Sequence, residues 1–496
     1  MTIPAQAPDL TTNRAESSLR DQVRSAVIWR SGSQIVGQLI TWASTFLVIR
    51  ILSPADYGLY AMTSVLLVLL SLVNGYGLAN AVIQRREVTP LMMRQLFGML
   101  FALNLSLAAV QWMAAPLVAD YYGQQMVCDM LRVQALIYLT NPFLAMGYAV
   151  LSREMDFRKQ AQVNLCSGVM AALAALGGAL AGLGVWTLVF APIVGFSVRA
   201  FGNMFMARIF IWPSFNFSGA WSLARYGGIV AVGEFFWFLQ TQADIIIAGR
   251  WFDPHDLGIY TTALFLTQMF VTKFVPPINE VAFSAYSRVQ DDKAAMANGF
   301  LKSVRLILLA GIPFCLGLSA AAESVVEVVL GDKWIQTVPI IATLGLAMPF
   351  MCLHVLFGPA VSAAGKPGID TIVRIIGACI LPLAFYVGIH WGVIGLAAAW
   401  IVSYPILTVV SAIWVLPVLG VRLRELIDAI SAPVMAGISM FLVVQTLALW
   451  LPHEIAPIMR LATLVSAGGL TYCGYLLLFG RDRIAELVNM VRRKSA

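Results

Sequence analysis

Apolar runs of about 20 residues recur along the chain from Ser25 to Leu478, each long enough to cross the hydrocarbon core of a bilayer as a helix. No soluble chain of 496 residues repeats such runs one after another. Hydrophobic residues make up 60% and charged residues 11% of the sequence, against about 25% charged in soluble domains. A soluble enzyme is excluded. A transmembrane β-barrel is excluded as well, because its lumen-facing positions alternate with lipid-facing ones and would dilute the apolar content. The expected fold class is an all-α polytopic membrane protein.

The hydropathy pattern divides into about fourteen spans, at 25–50, 58–83, 94–118, 127–151, 160–183, 185–209, 222–248, 256–283, 298–322, 335–362, 368–389, 392–416, 429–451 and 457–479. Connections are short. The longest, around Ser284–Asn298, reads as roughly fifteen residues, too few for a soluble catalytic domain. Lys and Arg are biased to the N-tail and every second loop (Arg85, Arg86, Arg94; Arg153, Arg158, Lys159; Arg422, Arg424), about 23 against 5 on the other side. The positive-inside rule therefore places both termini in the cytoplasm. The same bias explains the net charge of +7 without nucleic acid, which is not an expected partner. The polar first 24 residues hold no apolar core, so no cleavable signal peptide is expected.

The six cysteines mostly stand singly inside apolar runs, and His255, His354, His390 and His453 are far apart. Neither set has metal-ligand or disulfide spacing, so no metal is expected.

The most informative feature is a repeat at an offset of 200 residues. Arg50-Ile-Leu-Ser-Pro-Ala-Asp-Tyr-Gly-Leu-Tyr60 aligns with Arg250-Trp-Phe-Asp-Pro-His-Asp-Leu-Gly-Ile-Tyr260, so that Arg, Pro, Asp, Gly and Tyr coincide. A weaker echo pairs Gly184-Val-Trp with Gly392-Val-Ile. The domains expected are a cytoplasmic tail (1–24), an N-lobe of helices 1–6 (25–209), a linker (210–221), a C-lobe of helices 7–12 (222–416), helices 13–14 (417–480) and a basic tail (481–496). Both motifs follow helices of the same parity, so the repeat is parallel, with an axis along the membrane normal. Two such lobes frame a midplane cavity, a common plan for alternating access. The motif itself reads as a helix start: Ser53 and Asp253 as N-caps, proline in the first turn, and Asp56 and Asp256 three residues after the caps.

A charge near the bilayer centre costs about 2.5–3.5 kcal/mol and so faces a cavity or a partner. On the first span Arg30, Gln34, Gly37, Thr41 and Thr45 make one polar stripe; on the seventh Gly227, Glu234 and Thr241 make its equivalent, with Asp244 just off it. The charges break the repeat symmetry: Arg30 aligns with Val230, Lys273 with Val73 and Glu234 with Gln34. Lys273 precedes Val275-Pro276-Pro277, which should interrupt the eighth span. Arg30 and Lys273 suit a phosphate-bearing group, the first as a bidentate fork and the second as a point charge. The competing reading pairs Lys273 with Glu234 or Glu280, and has Arg305 and Arg374 snorkelling to the cytoplasmic surface.

The sequence also resembles the polysaccharide transporter family, the Wzx-type flippases, and within it the colanic-acid exporter branch. The segments that carry the resemblance are Leu52-Ser-Pro-Ala-Asp-Tyr-Gly-Leu-Tyr60, Arg153-Glu-Met-Asp-Phe-Arg158, Gly182-Leu-Gly-Val-Trp186, Asp256-Leu-Gly-Ile-Tyr260, Ser284-Ala-Tyr-Ser-Arg-Val-Gln-Asp-Asp292 and Gly331-Asp-Lys-Trp334. They span about residues 25–420 in the family's order. The resemblance implies a fourteen-helix fold shared with multidrug exporters and the lipid II flippase. It implies transport of polyprenyl-diphosphate-linked oligosaccharide across the bacterial inner membrane, with its lipids, polymerase and chain-length or export proteins as partners. Arg24, Arg30 and Lys273 look similar in placement to the basic residues lining the lipid II flippase cavity.

Transport is thus the leading expectation, with no cofactor and with H⁺ or Na⁺ as coupling ion through Glu234 or Asp244. Alternatives are an ion-coupled drug exporter of the same fold, for which an acidic cavity is expected, and a membrane polymerase or ligase, which usually needs a sizeable periplasmic loop. No phosphate-cradling glycine loop occurs, so ATP drive is not expected.

Overall fold

The computed structural model describes residues 36–73, 88–154, 156–216, 221–452 and 454–479. Among these residues every regular element is helical. Ten stretches are long and apolar enough to cross a membrane, and one of them, Pro367–Leu419, holds two helices. With the shorter apolar helix Val36–Ile51 and the more polar helices Trp221–Trp251 and Pro254–Lys273, the described residues hold fourteen such helical segments, the number read from hydropathy.

In chain order the helices are α1 (Val36–Ile51), α2 (Pro54–Ser71), α3 (Pro90–Tyr122), α4 (Gln125–Gln134), α5 (Leu136–Arg153), α6 (Phe157–Leu180), α7 (Trp186–Ala207), α8 (Trp221–Trp251), α9 (Pro254–Lys273), α10 (Val275–Arg288) and α11 (Lys293–Ala320). They continue with α12 (Val338–His354), α13 (Phe357–Ala363), α14 (Pro367–Gly388), α15 (Gly392–Leu419), α16 (Leu423–Trp450) and α17 (Pro457–Phe479). Local chemistry sets the boundaries. At the start of α2 the Ser53 N–H and Oγ donate to Asp56 Oδ2 at 2.9 and 2.6 Å. At the start of α9 the Asp256 N–H donates to Asp253 Oδ1 at 2.8 Å, with Pro254 in the first turn. Both copies of the repeated motif are therefore sharp helix starts. Gly184 and Gly392 share a positive φ, 54° and 73°, a backbone that glycine adopts without steric cost; each leads into the last helix of its repeat.

The eighth span breaks where the sequence places the break. α9 ends at Lys273 and α10 begins at Val275, with proline in its first turn, where a missing N–H costs nothing. The long connection expected at Ser284–Asn298 is not there. Helix α10 runs on to Arg288, and Asp292 caps α11 by accepting from the Ala294 and Ala295 N–H groups at 2.9 and 3.0 Å, leaving only residues 289–292 between them. Hydropathy missed this because the end of α10 is helical but polar.

The chain forms two compact units. Among the described residues the first comprises 36–51, 70–73, 88–120, 124–154, 156–216 and 221–231. In it Met93, Leu96, Phe97 and Leu100 of α3 pack on Ala145, Met146 and Ala149 of α5. The segment after α7 is tied to the start of α3: the Ser214 N–H donates to the Arg94 carbonyl (2.8 Å) and Gln95 Nε2 to the Asn216 carbonyl (3.0 Å). The second unit comprises, among the described residues, 52–69, 121–123, 232–452 and 454–479. There Ala436, Met440 and Val444 of α16 and Leu464, Tyr472 and Leu476 of α17 pack around Ala320 at the end of α11. Arg460 pairs with Glu323 at 3.1 Å. The last two helices are thus anchored on the ninth span. Helix α2 belongs to this unit although it lies early in the sequence.

Candidate functional site in the second unit

Helix α8 carries two acidic residues ten positions apart, about 15 Å along the helix axis, and their surroundings differ. Glu234 is half exposed and meets Arg374 of α14, whose Nη1 lies 3.3 Å from Glu234 Oε1. The Arg374 Nε donates to Asp370 Oδ2 at 2.9 Å, one turn earlier on the same helix. Its guanidinium also lies over the Trp237 ring, 5.4 Å from the centroid, in cation–π geometry. Gln240 Nε2 donates to the Arg374 carbonyl at 2.7 Å. The close approach needs Gly377, where a Cβ would stand 2.7 Å from Gln240 Cδ. The result is one guanidinium between two carboxylates, with an aromatic face beside it. Arg374 lies seven residues into α14, about 10 Å from its start. Glu234 pairs with it rather than with Lys273; the fork of one arginine reaches two carboxylates that a lysine would satisfy singly.

Asp244 is 1% exposed. Its Oδ2 accepts from the Tyr260 hydroxyl of α9 at 2.8 Å and its Oδ1 from the Ile245 N–H at 2.8 Å. Trp400 Nε1 of α15 donates to the Tyr260 oxygen at 2.8 Å, and Trp400 stacks on Tyr404 with ring centroids 5.0 Å apart. His354 of α12 continues the set, edge-on to Tyr404 and 3.1 Å from Ser411 Oγ through Nδ1. Among the described residues no cation forms an ion pair with Asp244. A buried carboxylate with hydrogen-bond donors but no counter-charge is a place where a proton or small cation can be bound and released.

Residues 47–339 match the protein family described as polysaccharide biosynthesis protein. The chain belongs to this family. Two proteins similar to this chain are the lipopolysaccharide biosynthesis protein WzxC of Escherichia coli, 22% identical over 88% of this chain and 90% of its own length, and the succinoglycan biosynthesis transport protein ExoT of Rhizobium meliloti, 23% identical over 90% and 91%. Among solved structures, the lipid II flippase MurJ in an inward closed conformation superposes with a TM-score of 0.70, covering 92% of this chain and all of that one at 12% identity. This polysaccharide biosynthesis protein therefore shares the MurJ fold.

Within this family member the remaining sequence-selected residues are placed as follows. Lys273 is exposed at the end of α9, immediately before the break, and its side chain forms no ion pair or hydrogen bond with a described residue. Thr241 and Thr41 donate to their own helices, to the Trp237 carbonyl at 3.0 Å and the Gly37 carbonyl at 2.8 Å. Arg24, Arg30 and Gln34 lie outside the described residues. No group of three or more His, Cys, Asp or Glu side chains is gathered among the described residues. Tyr260, Trp400, Tyr404, His354 and the bridging role of Arg374 were not found by sequence reasoning. The signal available was again repeat asymmetry: Asp244 aligns with Ser44, while its donor Tyr260 aligns with Tyr60.

Proposed function

We propose that this protein is a secondary transporter, not an enzyme, that moves polyprenyl-diphosphate-linked oligosaccharide repeat units from the cytoplasmic to the periplasmic leaflet of a bacterial inner membrane by alternating access, for exopolysaccharide or lipopolysaccharide assembly. The observation that carries this reading is the partly exposed Glu234–Arg374–Asp370 group, whose Glu234 lies near the middle of the long helix α8. Charges cost too much against lipid to be left partly exposed there, so the group faces a polar passage. Carboxylates, a guanidinium and an indole face together suit hydroxyl-rich sugar rings, through hydrogen bonds and stacking. The MurJ likeness and the names of WzxC and ExoT support a lipid-linked sugar as cargo. Polymerase and chain-length or export proteins are the partners this role calls for. The test is to analyse lipid-linked intermediates in a deletion strain. Finished units retained on the cytoplasmic leaflet are the expected result; units already on the periplasmic leaflet would point to a polymerase instead.

The reading places both termini in the cytoplasm. Cysteines introduced at Arg158 or in the C-tail are expected to label only from the cytoplasm, and cysteines at Ala55 or His255 only from outside. Labelling of Ala55→Cys and Arg158→Cys from the same side would break the topology.

Arg30, Arg24 and Lys273 are assigned to the diphosphate, with Gln34, Thr41 and Thr241 beside it. Arg30→Ala and Lys273→Ala are each expected to abolish polymer export while immunoblots show near-normal abundance. Full activity in Arg30→Lys would remove the bidentate contact and leave a simple charge role. Normal export in the double alanine variant would remove both residues from the site.

For coupling to H⁺ or Na⁺, Asp244 takes precedence over Glu234. Glu234 has a guanidinium beside it, whereas burying an ionised carboxylate without a partner costs several kcal/mol, a cost that a bound proton or cation removes.

A further inference from the structure

At one end of the second unit, residues from the two copies of the repeat meet backbone to backbone. Gly58 of α2 and Gly258 of α9 occupy the same place in the repeated motif, and each lies against the first turn of the other helix. A methyl group on Gly58 would fall on the Pro254 carbonyl oxygen, 2.7 Å from its carbon and 3.0 Å from the Gly258 nitrogen. A methyl group on Gly258 would fall on the Pro54 carbonyl oxygen, 2.6 Å from its carbon and 2.9 Å from the Gly58 nitrogen. The contact is reciprocal, as a local two-fold relation requires, and neither position has room for a side chain. Small residues of this kind let helix backbones approach closely in membranes.

A collar of further contacts surrounds the crossing. Tyr57 meets Trp334 edge-on, with ring centroids 5.5 Å apart. Arg250 Nη1 donates to the Tyr121 carbonyl at 2.8 Å, and the Tyr121 hydroxyl donates to the Ile246 carbonyl at 3.2 Å. Gly249 lies against the Tyr122 ring, 2.5 Å from where its Cβ would be. Each contact joins a residue of the first repeat to one of the second. They involve the two stretches of the first repeat, 52–69 and 121–123, that cluster with the second unit.

The chemistry is that of a joint made to part. At the crossing itself the Gly58 and Gly258 backbones lie against the Pro254 and Pro54 carbonyls with no room for a side chain between them, the kind of close approach that weak Cα–H···O contacts accompany. Each helix start is satisfied within its own copy of the motif, by Ser53 with Asp56 and by Asp253 with Asp256. Separation therefore leaves no capping group without its partner.

Resting on the transport reading above, we propose that the Gly58–Gly258 crossing is the seal that closes the outward end of the passage, the end that charge bias assigns to the periplasm, and that it opens in each cycle. Any side chain at either position would hold the seal apart.

The test reads accessibility directly. Thr241→Cys, below the crossing on α8, is exposed to a membrane-impermeant maleimide in intact cells, against the same chain with Thr241 retained. Gly58→Leu or Gly258→Leu is expected to raise labelling at least about fivefold by shifting the population toward the open form. Gly469→Leu, at a position whose Cβ would meet nothing within 4 Å, is expected to leave it unchanged. Conversely, joining Tyr121→Cys to Arg250→Cys with a cleavable bifunctional thiol reagent is expected to stop export, and cleavage to restore it. Unchanged labelling in leucine variants that accumulate in the membrane would overturn the proposal, as would full export by the bridged protein. Should the leucine variants fail to accumulate, the bridged pair alone decides. Labelling needs no substrate, so a seal that opens in a protein unable to move lipid-linked sugar would retract the cargo and keep the seal.

Discussion

In a strain carrying only the variant gene, Arg374→Ala is expected to lower polymer export at least about tenfold with little change in protein abundance. The reasoning weighs two effects of one contact. As a contribution to folding, a partly exposed ion pair is worth about 0–1 kcal/mol, so the protein should still assemble. As a feature of the passage, removing the guanidinium leaves Glu234 and Asp370 without their shared counter-charge and uncovers the Trp237 face, both of which depend on Arg374. Arg374→Lys should recover only part of the activity, because an ammonium group cannot reproduce the fork or the stacking. Polymer yield normalised to immunoblot signal is the measurement. Near-normal export in Arg374→Ala would take the group out of the passage.

The second large effect is expected from Asp244→Asn. The substitution keeps the size and an acceptor for the Tyr260 hydroxyl, and removes the capacity to exchange a proton or cation. In vesicles with imposed gradients, lipid-linked substrate should bind as before while the response to a proton or sodium gradient falls about tenfold or more. Tyr260→Phe should have a smaller effect on the gradient response: it removes the hydrogen bond to the carboxylate, worth about 1.5–3 kcal/mol, and the acceptor of Trp400 Nε1, but leaves the carboxyl in place. Unchanged gradient dependence in Asp244→Asn would return the assignment to Glu234.

The membrane class, fourteen crossings, the sharp starts of α2 and α9 and the break after Lys273 were all legible in the sequence, because each depends on local chemistry: apolar length, a cap, or a proline pair. The polar end of α10 was not, since hydropathy reports contact with lipid and not helicity. At the site, the repeat comparison marked Glu234 as the unmatched member of a pair, and its depth on α8 agreed. Its partner was beyond reach, because Glu234 and Arg374 are 140 positions apart and only the packing of α8 on α14 brings them together. Asp244 lies just off the polar stripe of its span, and nothing in the sequence around it marks its burial. The structure buries it under Tyr260 and Trp400, residues whose sequence context is that of any apolar helix. Gly58 and Gly258 were visible as repeat partners; that they touch is a property of the tertiary fold.

The most direct test of transport uses purified protein in vesicles that hold a polyprenyl-diphosphate-linked oligosaccharide in both leaflets, with an impermeant glycosidase outside. Without a flippase only the outer pool, about half, is cleaved on the assay timescale. With the wild-type protein, cleavage is expected to approach completion, and Arg374→Ala vesicles are expected to stop near half. Cleavage halting at the outer pool with correctly inserted wild-type protein, in the presence of either ion gradient, would contradict the assignment.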